Sequence, residues 1–166
     1  MATLPILVYP DPLLKKVSSP VEHMDARLEQ LINDLEETMY EQPGCVGIAA
    51  PQTGHLDRII LIDVSRNRKP LPNNGKLLMI NPVVETQTGE VLGREGCLSL
   101  PHLTANVKRA QEIRVRYLDR QMQAHALSTS DFEARVILHE ADHLDGILFL
   151  DRVSSLKTDV FRRKRY

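Results

Sequence analysis

The 166-residue chain has no long hydrophobic run, almost no net charge and only two cysteines, and each shortage removes a class of function. Its apolar stretches are short, as in Ile59 to Ile62 and Ile147 to Leu150, whereas a membrane helix needs about 20 such residues. A formal net charge of −1 gives no general attraction to nucleic acid or to an anionic membrane surface. Two cysteines, Cys45 and Cys97, are too few for a disulfide framework. Each is expected as a free thiol or a metal ligand in a reducing compartment. The opening MATLPILVYPDP lacks a basic region, a sustained apolar segment and a small-residue cleavage site, so a cytoplasmic location is expected. No repeat, low-complexity tract or Gly/Ser linker interrupts the chain. One catalytic domain over residues 1–166 is therefore expected, ending in a basic tail from about residue 154.

What is present is the pattern of an ordinary globular domain, with 42% hydrophobic and 26% charged residues. Leu28, Leu31, Ile32, Leu35 and Met39 recur at helical spacing, which predicts a helix over 25–41, capped by Asp25 and ended by Pro43-Gly44. Arg58 to Val64 and Leu77 to Val84 read as strands, joined through the Pro70-Leu71-Pro72-Asn73-Asn74-Gly75 turn. Glu112 to Leu118 alternates apolar and charged positions, and a short strand follows around Ala124 to Leu127. Ser130 and Glu133 have capping-box spacing and open a second helix that stops at Gly146. Two helices bracketing several strands predict an α+β domain.

The second helix carries His139-Glu140-Ala141-Asp142-His143. Side chains four apart lie one turn apart on one face, so both imidazoles can reach one ion while Glu140 stands beside it as a base. A hydrolytic site needs a third protein ligand and one open position. Phe149 stands where an HExxHxxGxxH arrangement would place its last histidine, and no glutamate follows Glu140. Asp151, Asp159 and upstream residues remain. Among the upstream residues Cys97 stands out, because a Cys-His-His set suits zinc or ferrous iron.

Three stretches in this order resemble the peptide deformylase family. They are Cys45-Val46-Gly47-Ile48-Ala49-Ala50-Pro51-Gln52, then Glu95-Gly96-Cys97-Leu98-Ser99, then His139-Glu140-Ala141-Asp142-His143-Leu144-Asp145-Gly146. The likeness runs from about residue 8 to residue 153. It implies small, largely antiparallel sheets packed around a central helix that carries the two histidines. The reaction it implies is removal of the formyl group from formyl-methionyl nascent peptides, releasing formate. Cys97, His139 and His143 would hold one divalent metal, natively ferrous iron in many members, with zinc, nickel or cobalt also accepted. Glu140 would be the general base acting on metal-bound water, and Gln52 with the Leu98 backbone N–H would stabilise the oxyanion. Gly47, Ile48, Glu95 and Gly96 would contact the peptide, with Phe132 and Val136 walling a methionine pocket.

Four positions depart from the family pattern: Cys45 for a glycine, Thr104 for an arginine, Asp131 for a glycine and Leu138 for a glutamine. They motivate one alternative, a related metallohydrolase acting on another N-acyl peptide. A catalytically silent peptide- or ribosome-binding homologue is the other, and the intact Glu140 argues against it. The basic run Arg162 to Arg165 suggests ribosome docking through a C-terminal helix, set against the plainer reading of a solvated helix end.

Overall fold

The computed structural model describes residues 2–67 and 73–163. Its first helix, α1 (Ala26–Glu41), starts where the Asp25 carboxylate accepts a hydrogen bond from the Leu28 N–H at 2.9 Å. Strands β1 (Gly47–Ala49), β2 (Ile59–Asp63) and β3 (Lys76–Thr88) follow. Next come β4 (Val91–Cys97), β5 (Leu100–Arg109), β6 (Glu112–Leu118) and β7 (Ala124–Ser130). Helix α2 (Asp131–Leu144) and the short strand β8 (Val160–Arg162) complete the order.

Two antiparallel sheets result, one in the order β1-β2-β3-β6-β7 and one in the order β4-β5-β8. Strand β2, Ile-Ile-Leu-Ile-Asp, is buried at every position, as expected of a strand covered on both faces. Ile59 and Leu61 pack with Leu28, Leu31, Ile32 and Leu35 of α1. Ile60 and Ile62 point the other way, into a cluster with Ala134, Val136, Ile137 and Leu144 of α2. The period-2 alternation of one strand therefore seats a helix on each side of the larger sheet. A third cluster, with Cys97, Leu100, Val107, Leu148 and Phe149, lies under the smaller sheet.

Several expectations need correction. Ser130 precedes α2, but its side chain makes no capping bond. Glu133 instead accepts from Thr129 Oγ1 at 2.7 Å and from the Asn74 N–H at 2.8 Å, so a loop and a strand end compete successfully for the carboxylate. Asp131 has φ of 57°, which explains why a glycine is common there: the first helical residue sits in left-handed space. Among the described C-terminal residues, Val160–Arg162 form strand β8, pairing with Leu103 to Ala105, and not a helix. Of the basic run, Lys164 and Arg165 lie outside the described residues, as do Pro70 to Pro72 of the expected turn. No helix is long and apolar enough to cross a membrane among the described residues.

Candidate active site

Strands β4 and β5 meet through the two-residue turn Leu98-Ser99, with Cys97 opposite Leu100. Cys97 thus occupies a hairpin corner, where its side chain faces α2. His139 and His143 stand one turn apart on that helix. The sulfur and one nitrogen from each imidazole all lie within 4.8 Å of one another, and all three residues are buried. Cys97 Sγ and His143 Nε2 are 3.3 Å apart. His143 Nδ1 and Glu140 Oε1 are buried without a hydrogen-bond partner among the described residues. A soft thiol and two imidazoles converging on one point form a donor set that fits zinc or ferrous iron.

The tautomer of His139 is set by Glu95, whose Oε1 lies 2.8 Å from Nδ1 and so leaves Nε2 for the cluster. Glu95 itself is buried between two arginines. Arg109 donates to both of its oxygens, at 2.9 and 3.0 Å, and Arg135 donates to Oε2 at 2.7 Å. Arg109 in turn donates to Asp142, which also accepts a fork from Arg152. Burial acts to raise the Glu95 carboxyl, but the bonds from His139 and Arg109 outweigh it and hold the group well below the usual range. Burial opposes charge on His139, yet Cys97 and Glu95 together raise it well above 6.5. Burial drives His143 the other way, well below 6.5. Glu140 is pushed up to about 7, chiefly by burial and further by the neighbouring Glu95 charge.

Gln52 lies in the short helical turn Ala50–Thr53 after β1 and is 1% exposed. Its Oε1 accepts from the Ala49 N–H at 3.0 Å, which only a carbonyl can do, so the amide is fixed in one orientation. Nε2 then donates to Ser99 Oγ at 3.1 Å and to Cys97 Sγ at 3.4 Å. Gly47 is glycine for a steric reason: a Cβ there would stand 2.8 Å from Glu140 Oε2 and 2.9 Å from Val136 Cγ1. Its absence lets α2 approach β1 closely enough to place the carboxylate.

A cavity of ≈ 220 Å³ opens beside the cluster. It is lined by Gly47, Glu95, Gly96, Leu98, Phe132, Val136, His139 and Glu140, with Arg94 and Arg135 among the other lining residues. A family profile described as polypeptide deformylase matches residues 3–159. The chain belongs to the polypeptide deformylase family. A peptide deformylase of Thermodesulfovibrio yellowstonii is 42% identical over 164 residues, covering 99% of this chain and 97% of that protein. Peptide deformylase 2 of Xanthomonas campestris pv. campestris is 45% identical over 167 residues, with 99% and 95% covered. Among solved structures, a class I type b peptide deformylase from Acinetobacter baumannii bound to Met-Ala-Ser superposes with a TM-score of 0.85 at 35% identity, over 92% of this chain and 100% of that one. The Thermotoga maritima deformylase gives a TM-score of 0.84 at 35% identity, over 93% and 100%.

Two of the residues expected to touch peptide are placed differently. The Ile48 side chain is fully buried in the α1 cluster, which leaves only its backbone for contact. Both Glu95 oxygens are taken by His139, Arg109 and Arg135. Cys45 is buried, its thiol donates to the Gly47 carbonyl at 3.3 Å, and burial pushes it up to about 12, which favours the protonated thiol. Sequence reasoning missed Ser99, which orients Gln52, and the Arg109, Asp142 and Arg135 frame. Arg135 carried a signal, since a residue four before a candidate ligand histidine shares its helix face.

Proposed function

We propose that this chain removes the formyl group from formyl-methionyl nascent peptides, with Cys97, His139 and His143 holding one divalent metal and Glu140 acting as general base. The carrying observation is the buried Cys97–His139–His143 cluster with an unpartnered Glu140 oxygen beside it. Ferrous iron is the proposed native ion. Held by one thiolate and two imidazoles, it supplies a Lewis acid and a water acidified toward neutral pH.

The protein groups do the rest. Glu140 accepts the proton of the attacking water and passes it to the leaving amine nitrogen as the C–N bond of the formamide breaks. Formate and a free methionyl amine are the products. Gln52 Nε2 and the Leu98 backbone N–H donate to the oxyanion that develops on the formyl oxygen. Ser99 and the Ala49 N–H hold the Gln52 amide in place, and the N–H that reaches Cys97 Sγ at 3.4 Å is the one that turns to the oxyanion. Phe132 and Val136 form the apolar side of the methionine pocket, and Gly96 lines the groove along which the peptide runs. A bound Met-Ala-Ser in the Acinetobacter baumannii relative supports a peptide of this kind.

The chain is proposed to act as one cytoplasmic domain organised around α2, with the basic C-terminal residues as a ribosome contact. Salt-sensitive cosedimentation with ribosomes, lost on removing residues 163–166, tests that contact; equal cosedimentation of the shortened chain sinks it. The reaction is tested by preparing the protein without oxygen, loading ferrous iron or nickel, and measuring amine release from formyl-Met-Ala-Ser. Formyl-selective release that disappears in Glu140→Ala is expected. Stoichiometric metal binding without cleavage, or equal cleavage of the acetylated peptide, would overturn the substrate assignment.

A further inference from the structure

Arg135 lies one turn before His139 on α2, is buried, and has no part in the chemistry above. A buried guanidinium is costly unless its donors are satisfied. Here Nη1 donates to Glu95 Oε2 at 2.7 Å and to the Val107 carbonyl at 2.9 Å, while Nη2 donates to the Val91 carbonyl at 2.7 Å. One side chain of α2 therefore ties together β4, β5 and the carboxylate that holds His139.

Space for this head is provided by Gly93 on β4. A Cβ at Gly93 would stand 2.8 Å from the Arg135 Cζ and 2.9 Å from its Nε. The pair is complementary: the glycine is needed for close approach, and the arginine fills what it leaves. The consequence falls on Glu95. Arg109 and its Asp142 anchor grip the carboxylate from one direction, and Arg135 grips Oε2 from another. Without Arg135 the carboxylate is held by one arginine only, and its bond to His139 Nδ1 loses the second brace.

We propose that Arg135, seated over Gly93, is a positioning residue for the metal site, fixing Glu95 so that His139 presents Nε2 to the ion. This role rests on the ligand set proposed above. The test compares Arg135→Met, Arg135→Lys and Gly93→Ala with the wild type. The readouts are Co²⁺ affinity in competition with a chelator, the visible absorption of bound Co²⁺, the thermal midpoint and turnover of formyl-Met-Ala-Ser.

Loss of an outer partner of a metal-binding histidine lowers metal affinity about tenfold to a hundredfold. For Arg135→Met and Gly93→Ala we expect a loss near the lower end of that range, with an altered Co²⁺ spectrum and kcat reduced more than KM is raised. Arg135→Lys should restore part of both, since an ammonium can still reach Glu95. A lower thermal midpoint with Co²⁺ affinity within about twofold of wild type and an unchanged spectrum would reduce Arg135 to packing and overturn the role. If Arg135→Met does not fold, Gly93→Ala decides on the same readouts, because it keeps every donor and displaces only the guanidinium. Wild-type protein that binds no Co²⁺ overturns the ligand set and this role together. The expected affinity pattern in a protein that releases no formate would support the role and overturn the deformylase reading instead.

Discussion

In the proposed reaction Glu140 as base and Gln52 as oxyanion donor carry most of what single residues contribute, and their loss has different consequences. Removing the base in Glu140→Ala is expected to lower kcat about a hundredfold to ten-thousandfold with metal content unchanged, as read by formate release and metal analysis. Gln52→Ala removes one oxyanion donor, and a fall of about a hundredfold to a thousandfold in kcat is expected, with a smaller change in KM. The raised Glu140 carboxyl also has a signature in the metal-free protein. Its neutral form is the one the fold favours, so its contribution is complete below the ordinary value of 4.5 and is lost as pH rises through about 7. Relative to Glu140→Gln, which isolates this group from the nearby imidazoles, metal-free wild type should lose on the order of 3 kcal/mol between pH 5 and pH 8. Urea unfolding of both proteins across that range measures it, and parallel curves would refute it. The Cys97–His139–His143 cluster and the neighbouring Glu140 could be picked out in the sequence because they sit in short motifs whose spacing is dictated by one helix turn or one hairpin corner. The frame behind them could not, because Arg109 and Arg135 meet Glu95 only once β4 has paired with β5 and α2 has packed on that hairpin.

Elements differed in how plainly the sequence announced them. Strand β6 follows from strict alternation, and α1 from five apolar positions at helical spacing with Asp25 ahead of them. Strands β4 and β5 were not foreseen. Gly93, Gly96 and a mixed polar face obscure their period, and what makes them strands is pairing with one another across a long register. The missing cap on α2 has a related origin, since Glu133 is taken by the sequence-distant Asn74 as well as by the nearby Thr129. The end of α2 was foreseen at Gly146, for two physical reasons. Its φ is 72°, and a Cβ there would overlap the Lys15 carbonyl. Gly146→Ala is therefore expected to cost about 2 kcal/mol or more, seen as a lower denaturation midpoint with an unchanged slope. A neutral result would mean that the Pro12–Lys15 turn moves aside freely.

At the scale of the molecule, the candidate metal site joins parts that otherwise have separate cores. Cys97 belongs to the cluster under the smaller sheet, whereas α2 closes the cluster on the larger one. Metal binding to the native state alone should raise stability by about 4 kcal/mol when free metal is a thousandfold above its Kd. For a chain of this size that amounts to a rise in Tm of roughly 10 °C, checked by calorimetry of chelated and reloaded protein. An unchanged midpoint would mean that the three side chains do not hold an ion in the fold. The overall class was legible from the order of helices and strands, but the division into two sheets was not. It depends on β3 leaving β4 to pair with β6, and local sequence does not encode that choice.

The corner position of Cys97 has a topological consequence. An ion shared by Cys97 and His139 would staple together points about 40 residues apart in the folded chain, and because it is bound only there it stabilises by mass action and leaves the unfolded chain unconstrained. Unlike a disulfide, this staple dissolves when the ion is oxidised away or chelated. The hairpin that carries Cys97 would then be the first part of the chain released to proteases and exchange, while α2, anchored independently in its own cluster, stays in place.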